Sequence, residues 1–460
     1  MLKENKKEDE KLAINDALNL AVKYHKEGRL KQAEILYRKI LVEDSNNADA
    51  MHLLGVIVHQ LGKHEEAIAY ISKAIKLNPN NAIYYNNLAM VYDSLNREEE
   101  STKNFKRALE IDSNHTNAHL AYYNLGVCYA DKGDITSALE YYDKAIELNR
   151  NFYDARWNRG LLLLTSGRFE EGWREYECRF KKKSPTDSRV FDKPQWDGSS
   201  LKGRRILILS EQGLGDSIQF MRYIPLVKDK VGYVIYECKK ELRRLFDDFP
   251  GIDEIVEKEK NTIPNVKFDT YTYLMSLPGI FNTSLDNIPN KIPYLKANPG
   301  LAKNFKLEFN NDNFKVGIVW AGNPEQDNDK NRSTTFEKFK ALKNIQGIQL
   351  YSLQKGEAEK QLDDSAIINM ADKINDFADT AAIIENLDLV ISVDTSVAHL
   401  AGAMGKPVWT LLTFMPDWRW LLDRNDSPWY PNMKLFRQQK LGDWDSMFDE
   451  VSEELANLVK

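Results

Sequence analysis

Four short stretches in the second half of this 460-residue chain carry residue types that can hold an anion or move a proton. The first is Gln212-Gly213-Leu214-Gly215-Asp216-Ser217. Its glycines permit a tight turn and close approach of a ligand to the backbone, and a helix N-terminus behind them favours negative charge. Asp216 either caps that helix or points into a cleft as a base. The stretch lacks the third glycine of a dinucleotide fingerprint and the Lys-Ser/Thr of a triphosphate loop. The second is Trp320-Ala321-Gly322-Asn323-Pro324, followed by Asn331-Arg332-Ser333. It reads as a ligand rim whose Arg332 pairs with phosphate, or as a solvated loop. Asp327-Asn328-Asp329 lies here too, but without the strand context of a metal-binding Asp-x-Asp, so no metal site is expected. In the third, Ser352-Leu353-Gln354-Lys355-Gly356, a lysine at a strand end can neutralise a phosphate leaving group, or simply lie in solvent. The fourth is Val393-Asp394-Thr395-Ser396-Val397-Ala398-His399. Asp394, Thr395 and Ser396 are good helix caps and also an anion cradle. His399 falls one helical turn inside, and it is the only histidine after residue 119.

These stretches need strand ends to hold them. RRILILS (204–210) is a buried-strand run, followed by candidate strands at 232–236, 253–256 and 267–271. A second series begins at 314–320 and continues at 348–352, 366–369, 388–393 and 407–412, with helical stretches between. Strand–helix alternation implies parallel sheets covered by helices. The expectation is two Rossmann-like domains facing a cleft, 204–312 and 313–460, with a terminal helix over 443–459. Ligands in such folds sit beyond the carboxyl ends of strands, where all four stretches fall.

The first half repeats itself. Gly28, Gly62, Asn96, Gly133 and Gly167 recur at spacings of 34, 34, 37 and 34 residues. Five residues beyond each comes a small one: Ala33, Ala67, Ser101, Ala138 and Gly172. Tyr37, Ile71, Phe105, Tyr142 and Tyr176 follow. A 34-residue period with this pattern predicts stacked helix–turn–helix units. This stretch resembles the tetratricopeptide repeat family, in five units over 14–186 with a short insertion at 116–118. A charged tail (1–13) precedes them and a linker (187–203) follows. The overall class is therefore α + α/β. Six residues into each unit stand Asn19, Leu53, Asn87, Asn124 and Asn158. Four asparagines in register, each a donor and an acceptor, form either a column gripping an extended acceptor peptide or bonds to neighbouring helices.

Composition narrows the classes. Apolar residues are 42% and charged residues 29%, and the formal net charge is −6, which argues against a general nucleic-acid binder. No apolar run is long enough to span a bilayer, and the charged first residues are unlike a secretory signal. Three cysteines far apart point to a reducing, cytoplasmic setting rather than a disulfide framework.

Taken in order, QGLGDSIQF, VGIVWAGNP, SLQKG and DTSVAHLAGAMGKPVW resemble the two-domain glycosyltransferases of the GT-B fold, and most of all bacterial heptosyltransferase-like enzymes. The resemblance covers roughly 201–440. It implies Asp216 as catalytic base and Lys355 against the diphosphate. It also implies donor contacts from Asp394, Thr395, Ser396 and His399. From the stretches read above, Gln212, Gly213, Gly215, Trp320, Gly322, Asn323, Arg332 and Gln354 are expected around the donor as well. Ser396 stands where heptosyltransferases tend to have glycine. Trp418, Trp420 and Trp429, in a run like that of repeat-bearing bacterial glycosyltransferases, either stack on a ligand or pack a core. Repeats ahead of such a half are also the layout of O-linked N-acetylglucosamine transferases. The expected function is metal-independent, inverting transfer from a nucleotide-sugar to a protein Ser or Thr held by the repeats. No cofactor is expected beyond that donor, and the repeats are also a route to self-association. The alternatives are a glycan- or lipid-directed transferase whose repeats recruit a partner, and a scaffold that binds nucleotide-sugar without turnover.

Overall fold

The computed structural model describes residues 2–113, 117–326 and 328–460, with side chains described from Ile14 on. The chain forms two compact units, residues 1–158 and 159–460.

The first unit is a series of antiparallel helix pairs: Leu2–Lys26 with Leu30–Glu43, Ala48–Gln60 with His64–Leu77, Ala82–Ser94 with Glu98–Ile111, and Ala118–Asp131 with Ile135–Leu148. The first helix begins inside the expected tail, and Thr116 of the expected insertion lies outside the described residues. The repeat pattern has a direct packing reason. Ala33, Ala67, Ser101 and Ala138 are fully buried where paired helices approach. Tyr37, Ile71, Phe105 and Tyr142 are buried with Ala74, Ala108 and Ala145 against the next pair. Each turn needs one left-handed residue, and in the third copy Asn96 takes it at φ 56°, a conformation asparagine tolerates better than most residues.

The second unit holds two parallel sheets. In the first, β1 (Leu201–Leu209), β2 (Val231–Cys238), β3 (Glu254–Glu257) and β4 (Thr270–Tyr273) lie in the order β3-β2-β1-β4, with Ile206 opposite Val234 and Thr270. In the second, β5 (Phe314–Val319), β6 (Ile348–Ser352), β7 (Ile368–Asn369), β8 (Leu389–Val393), β9 (Val408–Leu412) and β10 (Met433–Arg437) lie in the order β10-β9-β8-β5-β6-β7. Read in chain order within that sheet, this is 3-2-1-4-5-6 from the β7 edge, the doubly wound Rossmann arrangement. β8 and β9 are buried along their whole length, as strands covered on both faces must be. The last helix, Trp444–Leu458, buries Met447, Phe448, Val451 and Leu455 in the second sheet's core, with Phe448 edge-on to Phe339 at 4.8 Å.

Two expectations change. The connector 187–203 is not a free linker. Arg189 is buried between Asp187 (2.7 Å) and Glu237 (3.1 Å), Trp196 is buried, and its amide donates to the Tyr271 carbonyl at 2.7 Å. The unit boundary also falls inside the helix Tyr153–Thr165. The next helix, Phe169–Tyr176, therefore groups with the α/β unit, for a packing reason: Trp173 meets Trp418 edge-on at 5.1 Å, and Phe169 stacks toward Trp429 at 6.2 Å.

Candidate functional site

A doubly wound sheet opens a crevice where its strand order reverses. In the second sheet that point lies between β5 and β8, and in the first between β1 and β4. The loops after β1, β5, β6 and β8 meet in one cleft of about 1100 Å³. All four sequence stretches line it: Gln212, Gly213, Gly215 and Asp216 from the first, Gly322, Asn323 and Arg332 from the second, Gln354 and Lys355 from the third, and Asp394, Thr395, Ser396 and His399 from the fourth.

The two halves touch where two helices begin. A Cβ on Gly215 would stand 2.8 Å from His399 Cδ2 and 3.4 Å from Ser396 Cα. Glycine there lets the Leu214–Phe220 helix rest directly on the start of the Ser396–Ala403 helix. No side chain caps that second helix's first turn, because the Thr395 hydroxyl pairs with Ser392 Oγ at 2.9 Å instead. The helix start lies in the cleft lining, where helix N-termini attract anions. Arg332 stands nearby, its Nε donating to Asp329 Oδ1 at 3.1 Å and its Nη1 to the Asp394 carbonyl at 3.2 Å. Lys355 is exposed, and its Nζ donates to the Ala371 carbonyl at 2.8 Å.

Both readings of Asp216 meet in one side chain. Its Oδ2 accepts the Gly213 amide at 2.5 Å, closing the helix cap. Its Oδ1 is paired with Arg419, which also donates to Asp417 Oδ1 at 2.7 Å and Gln219 Oε1 at 2.8 Å. Asp394 is largely buried. Loss of solvation, then the charge of Asp417, pushes its carboxyl up to about 6. Burial and the neighbouring guanidinium groups of Arg419, Arg222 and Arg332 push His399 well below the usual imidazole range, so the ring is neutral near pH 7. It lies flat on Trp420 at 5.1 Å, with Nδ1 3.0 Å from the Tyr430 hydroxyl.

Several expected contacts are corrected. Trp320 does not line the cleft: it is fully buried in the second sheet's core against Phe336, since its position directly after β5 turns it inward. Gln354 lines the cleft, but its amide is committed to backbone. Oε1 accepts from Trp320 (3.0 Å) and Ala321 (2.9 Å), while Nε2 donates to the carbonyls of Ala321 and Lys355. It shapes the rim instead of offering an amide to a ligand. Gln212, at φ 54°, donates to the Tyr176 hydroxyl at 2.7 Å. Trp418, Trp420 and Trp429 are buried in packing. Asp327 of the Asp-x-Asp stretch lies outside the described residues.

The structure adds groups that sequence reasoning missed. Arg419 and Lys239 line the cleft. Buried Arg179 grips buried Glu211 through two bonds of 3.0 and 2.8 Å, just ahead of the Gln212 turn. Arg179 lies 32 positions from Glu211 and Arg419 lies 203 from Asp216, so no local spacing signals either pair. The only sequence cue to Arg419 was its place in the tryptophan-rich run.

In the first unit the asparagine column divides. Asn19 is exposed and Asn124 is half-buried. Asn87 Nδ2 lies 2.7 Å from His52 Nε2, and Asn158 Nδ2 donates to the Tyr123 hydroxyl at 3.2 Å. Both bonds run to the preceding repeat.

Comparison with known proteins agrees with this architecture. Tetratricopeptide repeat models match 46–114 and 119–152, and the model "Glycosyltransferase family 9 (heptosyltransferase)" matches 348–441. Protein FlbA of Caulobacter vibrioides is 27% identical over 372 residues, covering 74% of this chain and 61% of that protein. The chain thus spans about 61% of that relative's length. The uncharacterised protein MJ0572 of Methanocaldococcus jannaschii is 48% identical over 60 residues, 13% of this chain and 66% of that one. Among solved structures, MamA (25% identity, TM-score 0.31) covers 34% of this chain and 91% of its own. TTC0263 of Thermus thermophilus (22%, TM-score 0.33) covers 37% and 91%. The matches thus place tetratricopeptide-like repeats in the first half and likeness to glycosyltransferase family 9 in part of the second.

Proposed function

We propose that this chain transfers a sugar from a nucleotide-sugar donor to a Ser or Thr hydroxyl of a protein acceptor presented by its repeats. The observation that carries this reading is a meeting of groups across one cleft. A carboxylate from the first half, Asp216, lies beside an uncapped helix start from the second, with Arg332 and Lys355 on the same walls.

The chemistry follows from charge. The donor's phosphates lie at the amides before Ser396–Ala403, with Arg332 and Lys355 opposing their charge. Asp216 Oδ1 takes the acceptor hydroxyl's proton as the oxygen attacks the anomeric carbon. The bond from that carbon to the phosphate oxygen breaks, and its electron pair leaves with the nucleotide. Preorganised cations and amides stabilise that departing charge without reorganisation, in a site that needs no metal for it. Direct displacement inverts the sugar carbon.

A thermal-shift panel of UDP-, GDP-, ADP-, CMP- and dTDP-sugars tests the donor site. Ligand at about 100 Kd stabilises by roughly 2.7 kcal/mol. A selective rise in Tm with one nucleotide, lost in Arg332→Gln, is expected. No shift with any donor overturns the reading. The bonds of Asn87 and Asn158 within the repeats favour a second reading, in which the repeats recruit a partner and the acceptor is a glycan. It predicts that Asn124→Ala leaves a protein acceptor's KM unchanged.

A further inference from the structure

Asp216 cannot serve as a base in the arrangement the structure holds. One oxygen is engaged by the Gly213 amide and the other by Arg419. An acceptor hydroxyl reaching Oδ1 must displace a guanidinium that is itself well anchored. Arg419 is buried, its Nη1 and backbone amide held by Asp417 (2.7 and 3.0 Å), its Nε held by Gln219 and its plane lying 4.3 Å over Trp418. Only the Nη2 arm reaches Asp216.

That arm stands beside the phosphate position. Asp216 follows directly on Gly215, which abuts Ser396 and His399 at the uncapped helix start. The charge of Arg419 is felt at both Asp394 and His399. A phosphate group entering there brings more negative charge than the one carboxylate, Asp216, that the Nη2 arm covers, and a fork-shaped guanidinium suits either partner.

We infer that Arg419 is an exchange cation. Its Nη2 arm covers Asp216, and when the donor's phosphate arrives the arm moves to it, pivoting on Asp417 and freeing Oδ1 for the acceptor hydroxyl. The inference rests on the nucleotide-sugar reading above and adds a consequence to it: the base is uncovered only after the donor binds, so substrates bind in order, donor first. Arg419 thereby touches both the reacting base and the leaving group.

The test is carbodiimide-promoted amidation of Asp216 in the full chain, read by peptide mass spectrometry, with and without the free nucleotides UDP, GDP, ADP, CMP and dTDP. Calorimetry on the same samples reports occupancy. A nucleotide leaves the acceptor side open, so Asp216 stays reachable by the reagent. The expected result is a severalfold rise in Asp216 labelling with whichever nucleotide binds. In Arg419→Gln, labelling is high at the outset and no longer responds. If that variant does not fold, Arg419→Lys, with a shorter reach and one donor centre, gives partial uncovering. Bound nucleotide with Asp216 labelling unchanged or lowered overturns the exchange while leaving the donor site standing. No nucleotide binding at all overturns both.

Discussion

Gly215→Ala puts the contact between the two halves of the cleft to a quantitative test. The added Cβ would lie 2.8 Å from His399 Cδ2 and 3.4 Å from Ser396 Cα. Gly215 is absent from the positive-φ positions, so alanine adds no backbone strain; its helix propensity works in the opposite direction, by up to about 1 kcal/mol, and the destabilising part is steric. The imidazole cannot retreat freely: it lies flat on fully buried Trp420, and its Nδ1 meets the hydroxyl of fully buried Tyr430. Relief requires the two helix starts to separate by several tenths of an ångström. Overpacking of this kind costs about 1–3 kcal/mol, and the separation moves Asp216 away from the proposed phosphate position. Urea unfolding should show a lower midpoint with unchanged m, and nucleotide affinity should fall with it. The decisive comparison is a cycle with His399→Ala. Removing the ring removes the clash, so Gly215→Ala should cost at least about 1 kcal/mol less in that background. An equal cost in both backgrounds, or no cost in the native one, refutes the packing argument.

Three further outcomes are expected. Arg179→Ala leaves Glu211 buried without its cation and should cost about 3–5 kcal/mol in denaturant unfolding, more than Glu211→Gln. Asp394→Asn should stabilise the protein at neutral pH. Burial raises the folded carboxyl from 3.8 to about 6, so the native state holds that proton more tightly than the unfolded chain does. Its contribution therefore declines as pH rises from about 4 to about 6 and is flat above. The variant should gain up to about 3 kcal/mol at pH 7, the gain vanishing below about pH 4 in Tm measurements. Asn87→Ala leaves buried His52 without its 2.7 Å partner and should cost about 1–3 kcal/mol. Exposed Asn19→Ala should stay within roughly 0.5 kcal/mol, and circular-dichroism melts distinguish the two.

Much of the architecture is local information and was readable in the chain. A 34-residue period reports a helix pair because the small residue and the aromatic recur at the same contact in every copy. Nine of the strands were marked by short β-branched runs, although β4 sits at 270–273 instead of 267–271. β10 escaped because Lys434 and Arg437 interrupt its apolar pattern. The glycine and hydroxyl clusters were recognisable as loop residues at strand ends, and a doubly wound sheet gathers such loops at one crevice whatever else the sequence holds.

Pairing across long separations is different, because no spacing rule links residues that only tertiary packing brings together. Composition could not say that Arg419 covers Asp216, that Arg179 braces Glu211, or that Gly215 is small because His399 lies above it. Nor could type alone say which polar groups remain available. Gln354 is the kind of residue that binds ligands, yet the rim backbone uses its whole amide. Trp320 and Trp418 are the kind that stack on bases, yet both are buried in packing. The helix pairs, nine of the ten strands among the described residues and the loop residues at their ends follow from local propensity and period, so the chain alone carries them. Which of those end groups still face the cleft is settled by packing, because burial and hydrogen-bond saturation depend on every neighbour at once.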